Sequence, residues 1–311
     1  MTVTTHSLPM ILAEVEVVRV QRLSPTFVRV ELGSPALADF GVDGHLYDQR
    51  IKLVFPGESG RVPSFEGADE SWYTSWLDIP AEERGHMRTY TVRDVVGEGT
   101  DTRLVVDLVL HLDDGATGPG SRWAAAARPG DRLVVVAPRR GEFFGGIEFV
   151  PGGAQRLLLV ADETAVPAVA AILEQLPAGA RGTAFLEVPV TEDVLDLDAP
   201  VGMEVVWLPR DGAPLGEQLH AAVVAHLGAP PDRPEVADDE IDPNVWETPT
   251  FSSSGEGIDD ADTPHGDLYA WIAGESGVVT GLRRHLVRDL GIDRGQVAFM
   301  GYWRRGVAMR S

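Results

Sequence analysis

The sequence predicts two domains of different fold class: an antiparallel β-barrel over residues 1–150, followed by a three-layer α/β domain with a mostly parallel sheet over residues 151–311. Two observations predict this division. Short β-branched runs separated by Gly, Pro and Asp fill the first half, whereas strand and helix patterns alternate after Pro151-Gly152-Gly153. A chain of 311 residues is long enough for both domains.

The first half contains many short strand patterns and few helical windows. Its alternating or continuous β-branched runs span residues 15–20, 27–32, 51–55, 104–112 and 133–137. Runs of this length, bounded by turn-forming residues, are typical of antiparallel barrels and sandwiches. We therefore expect a barrel in this part of the chain.

The second half alternates between the two periodicities. Residues 156–161 form an apolar run suited to a buried parallel strand, and Val166, Val169, Ile172 and Leu173 then share one helical face within 165–176. The further elements are predicted as strands 184–188 and 204–208, a helix near 215–227, a strand at 268–273, a helix at 278–290 and a strand at 296–302. This order predicts a parallel sheet covered by helices.

An acidic segment, residues 229–266, interrupts the α/β pattern. It contains eleven acidic residues and a single basic one, Arg233, and it shows neither helical nor strand periodicity. Such composition cannot bury much apolar surface, so we predict an inserted, solvated loop. This segment carries nearly half of the formal net charge of −22.

The composition excludes several classes of function. The excess of 48 acidic over 26 basic residues disfavours general binding to nucleic acid or anionic lipid. No cysteine is present, which excludes disulfides, thiolate metal sites and cysteine-ligated iron–sulfur clusters, and the histidines show no paired-ligand spacing. The only lysine, Lys52, lies in a predicted strand, which argues against a P-loop. Without a signal-like start or a long apolar run, we expect a cytoplasmic protein.

The string Arg88-Thr89-Tyr90-Thr91-Val92-Arg93 is the most informative short pattern. On a strand, Arg88 and Tyr90 share one side and Thr91 points to the other. A cation can pair with a phosphate, an aromatic ring can stack on a flat heterocycle, and the Thr91 hydroxyl can reach a ring nitrogen. An ordinary exposed strand is the alternative interpretation.

A second string follows the strand that ends with Asp107-Leu108-Val109-Leu110-His111. It runs from Gly115 to Ala124, and its glycines permit close backbone approach before Ser121 opens a short Ala-rich helix. A helix N-terminus with a hydroxyl and free N–H groups suits a pyrophosphate. The alternative is an ordinary capped turn.

These strings and several later ones occur in the order found in one family. The chain resembles siderophore-interacting proteins, which are FAD-dependent ferric-siderophore reductases of the ferredoxin-reductase-like superfamily. The resemblance covers nearly the whole length. The strings that carry it lie at residues 50–53, 88–91, 111–124, 129–131, 161–168, 271–275 and 301–306.

The resemblance implies that the barrel holds FAD and that the α/β domain binds a nicotinamide cofactor. The implied cofactor-binding residues are Arg88, Thr89, Tyr90, Thr91, Val92, Asp107, Val109, His111, Gly118, Pro119, Gly120, Ser121, Asp162, Thr164 and Ala165. The implied nicotinamide-binding residues are Glu163, Gly274, Glu275 and Arg210. Glu187, Glu192 and Asp193 favour NADH by repelling a 2′-phosphate, whereas Arg210 leaves NADPH open.

The resemblance also implies a site for the anionic ferric chelate. Its residues are Lys52, Arg139, Arg140, Arg304, Arg305 and Trp303, and the register within each arginine pair stays open. Lys52 as a solvated edge charge and Trp303 as a core residue are the alternatives. An acidic protein that recruits an anion needs a local positive surface.

The resemblance therefore implies a monomeric reductase that passes electrons from NAD(P)H through FAD to an Fe(III)-siderophore and releases Fe(II) for iron acquisition. The flavin would carry the chemistry, so no catalytic side chain and no protein-built metal site are expected. Reduction by a ferredoxin-type partner is the alternative. Siderophore hydrolysis is disfavoured, because Val278 stands where a nucleophile elbow needs its second glycine.

Overall fold

A computed structural model describes residues 8–111, 117–228, 241–242, 244–248, 251–252 and 267–306. The chain divides into two compact units, and the boundary along the chain falls between Ile147 and Glu148. Gly115 and Ala116 of the second string, and most of the acidic segment 229–266, lie outside the described residues.

The first unit is built on seven antiparallel strands in the order β4-β3-β7-β1-β2-β6-β5. They are β1 Met10–Arg22, β2 Phe27–Gly33, β3 Arg50–Phe55, β4 His86–Thr91, β5 Asp94–Val96, β6 Arg103–Val109 and β7 Arg132–Pro138. Helix α1 (Trp72–Asp78) lies between β3 and β4, and helix α2 (Pro119–Ala126) lies between β6 and β7.

The two edge strands of this sheet are consecutive pieces of one segment, which curls the sheet into a barrel. Only Val92 and Arg93 separate β4 from β5. Val92 N donates to Gln49 O at 2.9 Å next to β3, and Arg93 N donates to Val105 O of β6 at 2.9 Å. Alternate strand residues such as Leu53 and Val106 fill the interior and are fully buried.

The second unit is built on seven strands in the order β10-β9-β8-β13-β14-β11-β12. They are β8 Arg156–Ala161, β9 Gly182–Val188, β10 Met203–Pro209, β11 Trp246–Thr248, β12 Phe251–Ser252, β13 Leu268–Glu275 and β14 Val297–Trp303. The first five in this order are parallel, and β11 and β12 extend the sheet antiparallel. The helices are α3 Val166–Gln175, α4 Glu217–His226 and α5 Ser276–Arg283, which continues as a π-helical turn over Arg284–Asp289.

The predicted fold class, an antiparallel barrel followed by a three-layer α/β domain, is confirmed. One segment differs from its prediction: β11 lies within 229–266, where the sequence indicated only a solvated loop. Glu247 of β11 is buried and pairs with Arg283 of α5 at 2.5 Å, and Val245 packs in the core. A strand of three residues is too short to show a period, so only its pairing with β14 reveals it.

The order of the parallel strands places a crevice in the second unit. The chain proceeds outward through β8, β9 and β10 and then returns to lay β13 on the other side of β8. Open α/β sheets bind ligands at such a reversal, beyond the carboxyl ends of the two strands. Here those ends are Ala161-Asp162 and Gly274-Glu275.

No helix in the described ranges is both long and apolar enough to cross a membrane.

Candidate functional site

In the first unit, Tyr90 of β4 packs directly against the start of helix α2. A Cβ atom built on Gly120 would lie 2.0 Å from the Tyr90 hydroxyl oxygen, so only glycine permits this approach. The Tyr90 ring also meets Phe55 edge-on, with ring centroids 5.8 Å apart. Burial raises the pKa of Tyr90, so its hydroxyl stays protonated and can donate a hydrogen bond at neutral pH.

The N-terminus of α2 faces open space. Gly118 is the N-cap residue and Pro119 follows it at the first helical position. A Cβ built on Gly118 would have no atom of the described residues within 4 Å. The first-turn amides of any helix lack intrahelical acceptors, so this end presents N–H donors to an anion.

Ser121 lies inside helix α2 and does not open it, in contrast to the prediction. Its hydroxyl donates to Val109 O at 2.9 Å and accepts from His111 N at 3.1 Å. Ser121 therefore ties the helix to the end of β6. Asp107, also on β6, receives two bonds of 2.7 Å from Arg29 and lies 3.9 Å from Arg93.

The side chains of β4 differ in their surroundings. Arg88 is half-buried and donates to Met87 O at 2.7 Å. Burial lowers the pKa of Arg88, but a guanidinium remains charged at neutral pH. Thr91 is buried, and Val92 lies wholly in the barrel core. Val92 therefore has a packing role.

Lys52 projects from β3 beside the exposed residue Thr89. Its ammonium donates to Thr89 Oγ1 at 2.6 Å, across the register that pairs the two strands. Desolvation, followed by the charge of Arg50, lowers the pKa of Lys52. The only lysine thus stands at the surface of the strand pair that carries Arg88 and Tyr90.

The two members of the Arg139-Arg140 pair make different contacts. Arg139 pairs with Asp39 at 2.6 Å and donates to Leu8 O at 3.1 Å, so its guanidinium joins neighbouring segments. Arg140 is exposed and donates to Phe40 O at 3.0 Å. Arg140 is the member that faces solvent.

In the second unit, the buried Asp162 joins three chain segments at the crevice. Its Oδ1 accepts from Thr164 N at 2.9 Å and Thr164 Oγ1 at 2.5 Å, and its Oδ2 accepts from Glu275 N at 2.7 Å and Trp303 Nε1 at 2.8 Å. Burial, followed by the charge of Glu163, raises the pKa of Asp162 to about 6. Ala165 completes the turn as the buried N-cap of α3.

Gly274 is required by the position of Asp162. Its φ is +154°, and a Cβ there would lie 2.6 Å from Asp162 Oδ2. The next residue, Glu275, caps α5 by accepting from Gly277 N at 2.7 Å. Its other oxygen meets Arg304 Nη1 at 3.4 Å. Arg304 is mostly buried, whereas Arg305 is exposed.

Two carboxylates, those of Glu163 and Glu187, surround Arg210. Arg210 donates to both oxygens of Glu163, at 2.7 and 3.0 Å, and to Glu187 at 3.2 Å. Burial by itself lowers the pKa of Arg210. The hydrogen bonds and the charge of Glu163 outweigh burial and raise this pKa above its usual value. Glu187 is fully buried. It accepts a hydrogen bond of 2.8 Å from the backbone N of Gly216, which is the N-cap residue of α4. Its predicted role, facing a 2′-phosphate, does not fit this burial.

Sequence reasoning missed the partners that complete these groups. Arg29 and Phe55 stand far along the chain from Asp107 and Tyr90, and no local pattern marks them. Gly216, near the start of the predicted helix, was the one available sign that a distant acceptor such as Glu187 caps this helix.

The first unit fits FAD. Arg88 and Tyr90 alternate on β4, and Tyr90 lies in the space that a Cβ of Gly120 would fill, near the N-terminus of α2 at Gly118-Pro119. This donor set suits a pyrophosphate and a flat ring system.

Comparison with known proteins supports this assignment. Residues 16–142 match the siderophore-interacting FAD-binding domain, and residues 154–306 match the siderophore-interacting protein model. The chain is 29% identical to the ferric vibriobactin reductase ViuB of Vibrio cholerae, over 93% of this chain and 88% of that protein. It is 29% identical to the NADPH-dependent ferric-chelate reductase of Escherichia coli, over 93% and 92%.

A solved structure shows the same architecture over nearly the whole length. The siderophore utilization protein from T. fusca is 32% identical, with a TM-score of 0.67 over 98% of this chain and 97% of that one. Together, the two matched models cover most of the chain. The chain belongs to the siderophore-interacting protein family.

Proposed function

We propose that this protein is an FAD-dependent ferric-siderophore reductase that passes electrons from NAD(P)H to Fe(III) held by a siderophore and releases Fe(II). The observation that carries the proposal is the packing of Tyr90 of β4 against Gly120 near the N-terminus of α2, within the part that matches an FAD-binding domain. Relatives of similar length are named as ferric vibriobactin and ferric-chelate reductases.

The side chains have binding roles in this reaction. Arg88 and the first-turn amides of α2 would hold the pyrophosphate, and Tyr90 would pack against the ring system. The turn at Asp162, Thr164 and Ala165 and the backbone at Gly274 would receive the nicotinamide nucleotide at the crevice. Bound FAD supplies the conversion of a two-electron donor into one-electron transfer to iron.

Recruitment of the chelate needs positive charge on an acidic protein. We assign this role in the first unit to Lys52 and Arg140, which are exposed, whereas Arg139 is engaged with Asp39. Their local field would offset the repulsion that a net charge of −22 exerts on an anionic ferric chelate.

NADH is the proposed donor, because Glu163 and Glu187 already hold Arg210. A cation bound by two buried carboxylates is poorly available to a 2′-phosphate. We expect a higher kcat/KM for NADH than for NADPH, and Glu163→Gln should narrow that ratio by freeing Arg210. Equal efficiency of both donors in the unmodified protein would contradict this assignment.

The experiment for the whole function uses purified protein loaded with FAD under anaerobic conditions. NADH or NADPH should bleach the flavin absorbance, and a ferric siderophore should restore it while an Fe(II) indicator develops colour. Protein that does not bind FAD would refute the proposal. Light scattering on the same sample tests the proposed monomer.

A ferredoxin-type donor is the second candidate. It would be favoured if reduced ferredoxin bleaches the flavin and neither nicotinamide does. The ion pair between Arg210 and Glu163 is compatible with this alternative, because it leaves Arg210 less available to bind the phosphate of a nicotinamide nucleotide.

A further inference from the structure

We propose that Asp162 is a positioning residue that fixes the Trp303 indole as one wall of the nicotinamide-nucleotide pocket. The inference rests on the proposed function and adds a residue role to it. It assigns Trp303 to the donor side of the reaction, whereas the sequence placed Trp303 among the chelate-binding residues.

The hydrogen bond between Trp303 and Asp162 lies at the carboxyl ends of the parallel strands. Asp162 follows β8 and Glu275 ends β13, so the carboxylate lies at the reversal of strand order where ligands of open α/β sheets bind. Trp303 ends β14, the next strand, and its Nε1 donates to Asp162 Oδ2 at 2.8 Å. One carboxylate therefore links the carboxyl ends of three neighbouring strands.

The Asp162 carboxylate is saturated with hydrogen bonds. Asp162 is 1% exposed and accepts four bonds: two from Thr164, one from Glu275 N and one from Trp303. An ionised carboxylate offers only acceptors, which suits four donors. Three of the four donors lie in the two turns beside Asp162, and the indole is the one that comes from β14.

The residues around Asp162 accommodate this carboxylate and hold the backbone of Trp303. Any side chain on Gly274 would collide with Asp162 Oδ2, at 2.6 Å from the Cβ position. The backbone of Trp303 is held independently, because Ser276 Oγ donates to Trp303 O at 2.9 Å. The backbone is thus anchored by α5 and the ring orientation by Asp162, and the partly exposed ring remains at the crevice.

The test measures nucleotide binding and the two half-reactions separately. Trp303→Phe keeps a ring and removes the donor, and Asp162→Asn keeps the shape and removes the charge. Loss of a hydrogen bond to a charged group predicts an increase of about 10- to 150-fold in the Kd for NAD⁺, measured by calorimetry, for each variant. Because both variants weaken the same bond between Trp303 and Asp162, the loss in the double variant should be smaller than the sum of the two single losses.

Trp76→Phe is the matched control. Trp76 belongs to the first unit and donates its indole N–H to Arg84 O at 2.8 Å, so the same chemical change is made elsewhere. Its Kd for NAD⁺ should be unchanged. Reduction of ferric chelate by protein whose flavin was first reduced with dithionite should be unchanged in Trp303→Phe.

The outcomes separate this inference from the proposed function. Unchanged NAD⁺ binding in Trp303→Phe, additive losses in the double variant, or slowed chelate reduction by the prereduced variant would overturn the role of Asp162 and Trp303. Failure of both NADH and NADPH to reduce the flavin of the unmodified protein would instead refute the nicotinamide-dependent function. If Asp162→Asn fails to fold, Trp303→Phe still tests the bond from its other end.

Discussion

Replacement of Gly120 by alanine should weaken FAD binding, because the new methyl group collides with Tyr90. The Cβ position lies 2.0 Å from the Tyr90 hydroxyl oxygen and 3.3 Å from Cζ. Ordinary contact begins near 3.4 Å, so the oxygen has to move by 3.4 − 2.0 = 1.4 Å. The ring is rigid and packs on Phe55, so this movement displaces the whole side chain or the helix.

Overpacking of this kind costs about 1–3 kcal/mol. If the cost falls on the FAD-bound state, the Kd for FAD rises by roughly 5- to 150-fold. The assay is a fluorescence titration of apoprotein with FAD, together with urea unfolding of the apoprotein to detect any cost that falls on folding instead.

Two further variants make this prediction specific. Gly179→Ala adds the same methyl group in the second unit, where no atom of the described residues lies within 4 Å, and its Kd for FAD should stay within about 3-fold of that of the unmodified protein. In a Tyr90→Phe background the colliding oxygen is absent, so the effect of Gly120→Ala should shrink. A normal Kd for FAD together with an unchanged urea midpoint in Gly120→Ala, or an equal loss of FAD binding in Gly179→Ala, would contradict this prediction.

Three other predictions follow from the contacts of each unit. The raised pKa of Asp162, about 6, means that the folded state binds its proton more tightly than the unfolded chain, so stability from this group falls as pH rises toward that pKa. Between about pH 5 and about pH 7.5, the unfolding free energy of the unmodified protein should fall by about 1.4 kcal/mol relative to that of Asp162→Asn. A difference between the two proteins that stays constant with pH would contradict the raised pKa of Asp162. Lys52→Gln should raise the apparent KM for ferric chelate, measured by steady-state kinetics, by about 2- to 5-fold. Arg132→Gln, which removes an exposed arginine, should leave this KM unchanged. Equal effects of the two variants would show that net charge alone sets the KM. Glu247→Gln should lower the unfolding free energy by about 3 kcal/mol, because Arg283 would lose its buried partner, and an unchanged urea midpoint would show that this pair does not anchor β11.

Much of the fold could be predicted from the sequence, because its signals are local and periodic. The apolar run of β8 and the helical face that begins at Val166 both lie within a few residues of their predicted bounds. The Pro and Gly residues that bound them act on the backbone directly, so no partner is needed to recognise them.

The site was predicted less completely, because hydrogen-bond partners are distant in the chain. Arg139 and Arg140 look alike in the sequence. In the structure, Arg139 forms a β-bridge with Phe40 and pairs with Asp39, whereas Arg140 is exposed. Glu187 carries a charge that suggested the surface, but it is buried because it caps α4. A residue type specifies the bonds a side chain can make and leaves the choice of partner to packing.

The sequence by itself determined the two fold classes, the exclusion of cysteine chemistry, and the strings around Arg88, Gly120 and Asp162, since composition and short-range periodicity are properties of the chain. Only the tertiary structure decided that Gly120 admits Tyr90, that Asp162 receives Trp303 and that Arg210 is held by two glutamates. Each of these contacts joins residues more than twenty positions apart. They form because strand order and helix placement bring distant residues together, and no local pattern encodes that order.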